Sequence, residues 1–197
     1  MYKIALIFLL SISALLGGGF DSVPGTKSDT GVFSAQGALP YALFGLSGIV
    51  ALSETNATVY GKTAWKAVDA GVIAALSTEV LKPVFGRKRP EKTSSSNDWF
   101  KGGDSFPSGH TAVTTAIVTP FMLEYGDKNP LVYSAALIPI YEAIGRVKAR
   151  KHWPTDTIGG IAVGAASGYV ANIQDKPIVI RVMPYGDGIY AGASYKF

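Results

Sequence analysis

Only two histidines occur in this chain, His110 and His152, and both sit among groups suited to binding anions. Asp156 follows His152 by four residues, just behind Pro154, a preferred first residue of a helix. A carboxylate in that first turn can accept a hydrogen bond from one imidazole nitrogen, fix the tautomer and leave the other lone pair free to attack an electrophile. The spacing alone is weak evidence, since such pairs also serve as caps or surface ion pairs. Before His110, the residues Pro107, Ser108 and Gly109 lead into an apolar run, 112–123. A helix starting there turns free N–H groups and its positive dipole end toward an oxyanion, with the Ser108 hydroxyl beside them. A plain N-cap by Ser108 explains the same residues. Residues 82–92 and 146–151 hold nine of the 18 Lys and Arg residues, Lys82, Arg89 and Arg146 among them. Taken alone, that clustering is met more simply by a solvated basic face or by contact with anionic lipid headgroups.

These residues need elements to position them. Apolar stretches near 39–53, 64–81, 109–124, 131–145 and 157–173, with turn residues between them, predict a mainly α helical bundle. Gly160, Gly164 and Gly168 fall on one helical face and suit close packing. The chain then changes character: 178–182 and 189–197 are strand-like and flank a turn at 184–188, which predicts a C-terminal β-hairpin packed on the bundle. The polar loop 91–106 contains Trp99 and Phe100, placed to meet a membrane interface, to line an acyl groove, or to pack under the loop.

The chain has 197 residues and 20.7 kDa, enough for one domain with a short appendage. Hydrophobic residues make up 48% and charged residues 16%, with mean hydropathy +0.24, so there is ample material for a core. Cysteine is absent, which excludes disulfides, thiolate catalysis and iron–sulfur clusters; two histidines exclude a multi-histidine metal cage. Residues 1–19 place Lys3 before the apolar run Ile4 to Leu16 and end in three glycines, the layout of a secretory signal peptide. That run falls short of the roughly 20 residues that cross a bilayer, so export is preferred to anchoring. The expected organisation is 1–19 signal peptide, 20–176 helical domain and 177–197 hairpin, in the periplasm or envelope. The net charge of +4 and pI of about 9.2 favour contact with an anionic membrane surface.

Taken together, Lys82-x6-Arg89-Pro90, Pro107-Ser108-Gly109-His110 and Arg146-x5-His152-x3-Asp156 resemble, in order and spacing, the type 2 phosphatidic acid phosphatase superfamily, which includes acid phosphatases and vanadium haloperoxidases. One departure is Gly145, where that family often has serine. The resemblance implies the family's helical bundle and a phosphatase. Lys82, Arg89, Ser108, Gly109 and Arg146 would hold the phosphoryl oxygens. His152, oriented by Asp156, would be the nucleophile, and His110 the general acid and base. No metal or cofactor is implied. A phosphorylated membrane lipid is the expected substrate, with a soluble phosphomonoester as the alternative and a non-catalytic headgroup-binding module as the alternative of another class. No nucleic-acid partner is expected, and the sequence does not set the oligomeric state. The roles require a neutral His152 beside a protonated His110, hence a bell-shaped pH profile.

Overall fold

Thr58 and Gly86 set the ends of the longest helix. The Thr58 hydroxyl accepts the Gly61 N–H, and Gly86 closes the far end at φ 51°, a left-handed conformation that glycine adopts at little cost. The computed structural model describes residues 21–28, 30–54, 56–174, 181–185 and 188–192, the last two segments as backbone only. The signal peptide read at 1–19 therefore lies outside the described residues. The helices are α1 Leu39–Glu54, α2 Val59–Phe85, α3 Gly109–Tyr125, α4 Leu137–Lys148 and α5 Pro154–Asn172, with 3-10 turns at Gly31–Phe33 and Pro130–Ala136. Strands β1 Arg181–Tyr185 and β2 Gly188–Gly192 pair antiparallel, Arg181 opposite Gly192. The other strand-like residues, 178–180 and 193–197, lie outside the described residues.

Helix α2 is longer than the apolar stretch 64–81 suggests, because the cap at Thr58 and the stop at Gly86 rather than hydrophobicity define it. The stretch 131–145 divides. Pro139 has no N–H to donate, so it sits in the first turn of α4, where none is needed, and the residues before it form a 3-10 turn.

Helix α3 is the centre of the bundle, packed against α2 and α5, with α1 against α2 and α3 and with α4 alongside α3. The core uses small side chains: Ala70 and Ala74 of α2, Ala112 and Ala116 of α3, and Ala171 of α5. Glycines bring α5 onto the α3 backbone. A Cβ at Gly164 would lie 2.3 Å from the Ala112 carbonyl oxygen, and one at Gly168 would lie 2.4 Å from the Thr119 Cβ. Larger residues there would force the helices apart.

An N-terminal strap, 21–38, crosses the α4–α5 connection. Ser28 N–H donates to the Lys148 carbonyl at 3.0 Å, and Arg150 Nη1 donates to the carbonyls of Pro24 and Gly25. Further on, Phe33 stacks on Tyr141 of α4, whose hydroxyl donates to the Val32 carbonyl. Among the described residues no helix is long and apolar enough to cross a membrane. The C-terminus of α2, the N-terminus of α3, the C-terminus of α4 and the N-terminus of α5 meet at one end of the bundle, which gathers the three sequence segments.

Candidate active site

Ser108 N–H donates to the Asp156 carbonyl at 2.9 Å, and the Trp153 indole Nε1–H donates to the Lys88 carbonyl at 2.8 Å, so one backbone and one side-chain hydrogen bond stitch the three segments together. Helix α3 begins at Gly109, whose N–H and that of His110 have no intrahelical acceptor. A Cβ built on Gly109 would stand 3.7 Å from Lys82 Nζ, which puts this ammonium beside the helix start. The Ser108 hydroxyl is fully buried and shares a hydrogen bond with Thr111 Oγ1 at 3.0 Å.

His152 is buried at the bundle end. Its Nδ1 lies 2.8 Å from the carbonyl oxygen of Ser105 and 3.8 Å from Asp156 Oδ2. The acceptor within hydrogen-bond reach is thus a backbone carbonyl, not the carboxylate that the sequence points to. A carbonyl cannot donate, so Nδ1 carries the proton and the Nε2 lone pair is left free. Asp156 is occupied elsewhere: it accepts the Trp153 N–H at 2.8 Å, closing the first turn of α5, and also the Ser105 hydroxyl and Arg87 Nη1. Its charge still faces the imidazole, at 3.8 Å against the 2.8 Å of the Ser105 carbonyl.

Arg87 supplies the counter-charge. It is 1% exposed, and its guanidinium donates to Asp156, Asp21, Thr155 Oγ1 and the Ser96 carbonyl while lying 4.2 Å over the Trp99 ring. Asp21 also accepts the Thr155 N–H and hydroxyl. With every arm engaged, Arg87 holds the loop rather than an anion. Trp99 packs under the loop against Phe85 and Phe106, whereas Phe100 is exposed.

The other cations are paired differently. Arg89 grips Asp104 through two hydrogen bonds of 3.0 and 2.7 Å, and Lys82 pairs with Glu79; both carboxylates are largely exposed to water. Arg146 is 8% exposed and donates to Gln36 Oε1 at 3.2 Å, while its buried Nε has no acceptor. One turn earlier on α4, Glu142 is fully buried with neither carboxyl oxygen hydrogen-bonded. Burial pushes its pKa up to about 7 against the opposing pull of Arg146.

These groups act on one another electrostatically. Burial, the charges of Arg146 and His152, and that of Lys82 push His110 down to about 4, with the Gly37 backbone acting the other way. For His152, burial is the largest cause of a lowered pKa; Asp156 opposes it, and Arg146 and Arg89 add to it. Both imidazoles are therefore neutral near pH 7. Tyr41 of α1 meets the His110 ring edge-on at 5.9 Å. From Lys82 and His110 a cavity of about 660 Å³ runs between α1, α2 and α3, walled mainly by apolar residues such as Phe44, Val72, Leu76 and Val113.

Lys82, Arg89, Gly109, His110, Arg146, His152 and Asp156 are thus brought to one end of the bundle. Sequence reasoning passes over Asp21, Gln36, Arg87, Ser105 and Glu142 as site residues. Only Glu142, a lone acid in an apolar stretch, leaves a local signal.

Comparison with known proteins places this geometry. The model of the PAP2 superfamily matches residues 63–178, more than half of the chain. The chain belongs to the PAP2 superfamily. Its mainly helical fold is that of PAP2 proteins. A lipid A 1-phosphatase of Porphyromonas gingivalis is 40% identical to this PAP2 chain over 86 residues, which are 43% of the chain and 17% of the relative. The alignment thus spans less than a fifth of that curated protein's length. Among solved structures, LpxE of Aquifex aeolicus superposes with a TM-score of 0.41 at 19% identity, covering 73% of this chain and 96% of that one. A transmembrane PAP2 type phosphatidylglycerolphosphate phosphatase of Bacillus subtilis superposes with a TM-score of 0.45 at 19% identity, covering 87% and 94%.

Proposed function

We propose that this PAP2 protein is a phosphatase that hydrolyses a lipid phosphomonoester or diphosphate through a phosphohistidine on His152. The observation that carries the lipid reading is the cavity: it is apolar along most of its length and ends at Lys82, His110 and the start of α3. A phosphate held by the cations would direct its leaving group into an apolar groove, which suits an acyl or prenyl chain.

In this reading Lys82, Arg89 and Arg146 hold the phosphoryl oxygens with the Gly109 N–H and the Ser108 hydroxyl. Donors placed in advance for that charge commonly contribute the largest share of the rate, about 10² to 10³ for each one lost. His152 Nε2 attacks phosphorus in line. As the new N–P bond forms, the ester P–O bond breaks and protonated His110 gives its proton to the departing oxygen. The ionised Asp156, 3.8 Å from Nδ1, stabilises the positive imidazole of the intermediate. His110, now neutral, takes a proton from water, whose oxygen attacks phosphorus and frees His152. The cationic side chains supply the charge stabilisation, so the reading includes no metal or cofactor.

Leu76 at the groove is exposed, as are Leu46 and Ile49 on α1 and Val80 and Val84 on α2, the helices that help wall it, and these residues support contact with a membrane surface. Residues 1–19 act as the export signal, 20–176 form the catalytic domain and 177–197 the appendage, so the enzyme works on the envelope side of the membrane.

The test is phosphate release by wild type and His152→Ala, in chelator, from an aryl phosphate and from phosphatidic acid, phosphatidylglycerophosphate, undecaprenyl diphosphate and lipid A in micelles. Preference for one of the lipids with loss in the variant is expected. Equal rates on the aryl ester would move the protein to soluble phosphomonoesters, and activity that survives in His152→Ala would overturn the mechanism.

A further inference from the structure

Arg146 is the least restrained of the buried arginines. Among the described residues its side chain makes one hydrogen bond, from Nη1 to Gln36 Oε1, and its Nε is sealed from solvent without an acceptor. Arg87, still more deeply buried, spends its donors on two carboxylates, a hydroxyl and a carbonyl. A buried guanidinium with unmet donors beside two histidines is suited to an anion, and the group that fixes its pose is Gln36.

Gln36 arrives from the strap, 110 positions away in the chain, and is 7% exposed. Gly145 makes its seat. A Cβ at position 145 would stand 2.8 Å from both Cβ and Cγ of Gln36 and 3.3 Å from the Phe33 ring, too close for any side chain to share the space. The glycine immediately before Arg146 therefore leaves room that a residue from elsewhere fills. The same segment reaches the other side of the site, since the Gly37 backbone acts on His110 and the Tyr41 ring meets it.

We infer that Gln36, seated against Gly145, is a positioning residue for phosphate binding: its Oε1 holds Arg146 Nη1 so that the remaining guanidinium donors face the phosphoryl oxygens. The inference deepens the proposed function and rests on it. A neutral amide suits the task, because a carboxylate at the same place would orient Arg146 equally well but would cancel its charge and repel the substrate. Restraint of a flexible arginine before binding removes an ordering cost that the substrate would otherwise bear.

The test uses the full chain and two readouts, calorimetric binding of inorganic phosphate and steady-state phosphate release. Gln36→Met keeps the Cβ and Cγ that pack on Gly145 and removes the acceptor. It is expected to weaken phosphate binding and raise KM by about tenfold while kcat changes by less than about threefold. Gly145→Ser is expected to lose at least as much, because its Cβ displaces Gln36. In Gln36→Ala/Gly145→Ser the space is free again, so the double variant is expected to be no worse than Gly145→Ser alone. Wild-type phosphate affinity and KM in Gln36→Met, with its Tm unchanged, would overturn the inference, as would losses that multiply in the double variant. Should Gln36→Met fail to fold, Gln36→Ala and the double variant carry the same comparison. Wild type that neither binds nor releases phosphate would overturn this inference and the proposed function together, whereas an unaltered Gln36→Met in an active, phosphate-binding enzyme removes the role of Gln36 alone.

Discussion

Arg87 Nη1 donates to Asp156 Oδ1 at 2.6 Å in a pocket where the two side chains are 1% and 0% exposed. A buried pair of this kind is no guarantee of stability, but removing one partner strands the other. Arg87→Met would leave Asp156 and Asp21 charged and unpaired, so a loss of about 3 to 5 kcal/mol in urea unfolding is expected. Asp21→Asn, which keeps a hydrogen-bonding group, is expected to cost less. Equal stability of Arg87→Met and wild type would contradict this view of the loop.

His110 and His152 separate by leaving group. The aryloxide of an aryl phosphate leaves without needing a proton, so His110→Ala is expected to phosphorylate itself on that substrate and then stall, since the water step has lost its base. Acid-labile, alkali-stable labelling of about one phosphate per chain would be seen, and none in His152→Ala. Labelling that persists without His152 would place the nucleophile elsewhere.

A proton should accompany phosphate. With its pKa pushed down to about 4 by burial and the neighbouring cations, His110 is neutral at pH 6 to 7 in the free protein. A bound phosphoryl dianion offsets Arg146 and Lys82, so the pKa rises and His110 takes up a proton. Affinity contributed by His110 is then strongest at low pH and fades as pH rises through the bound-state value. Calorimetry in buffers of different ionisation heat is expected to show proton uptake in wild type and less in His110→Ala; identical uptake would count against the acid role.

Glu142 gives a pH dependence of the opposite origin. Its folded pKa of about 7 lies above the ordinary 4.5, so the folded state holds a proton that the unfolded chain releases. The contribution of Glu142 to stability is most favourable below about pH 4.5, falls as the unfolded state ionises and levels off above pH 7, a span on the order of 3 kcal/mol. Glu142→Gln should remove this dependence, so the variant gains on wild type between pH 5 and 8 in urea unfolding. A difference that does not grow with pH would refute it.

Glu79 and Asp104 occupy Lys82 and Arg89, two of the cations proposed to bind phosphate, from the solvent side. Their pairs are exposed and weak, so Glu79→Gln and Asp104→Asn are each expected to tighten phosphate binding by a few-fold, without loss of fold. Weaker binding would show that these carboxylates aid the cations instead of competing with phosphate.

The sequence carries the helix ends near the site well. The pattern predicts 109–124, and the helix is Gly109–Tyr125, because Pro107 and Ser108 punctuate its entrance. Helix α2 runs past the predicted 64–81 at both ends, where Gly61, Lys62, Lys82 and Pro83 break the apolar pattern without ending the helix. What the sequence does not display is pairing at a distance. Asp21 and Arg87 are 66 residues apart and Gln36 and Arg146 are 110 apart, and no local period records either contact. The partner of His152 is harder still, since a backbone carbonyl at Ser105 has no side-chain signature.

The glycine face of α5 has an evolutionary consequence. Where Gly160, Gly164 and Gly168 meet α3, the helices approach so closely that a Cβ at any of the three would collide with α3, so substitution there is barred in a way that most side-chain drift is not. The groove walls carry no such constraint. Under the proposed function, Phe44, Val72 and Leu76 can change size to suit wider or longer chains while the α3–α5 contact keeps its dimensions, leaving the protein one rigid die and one adjustable sleeve.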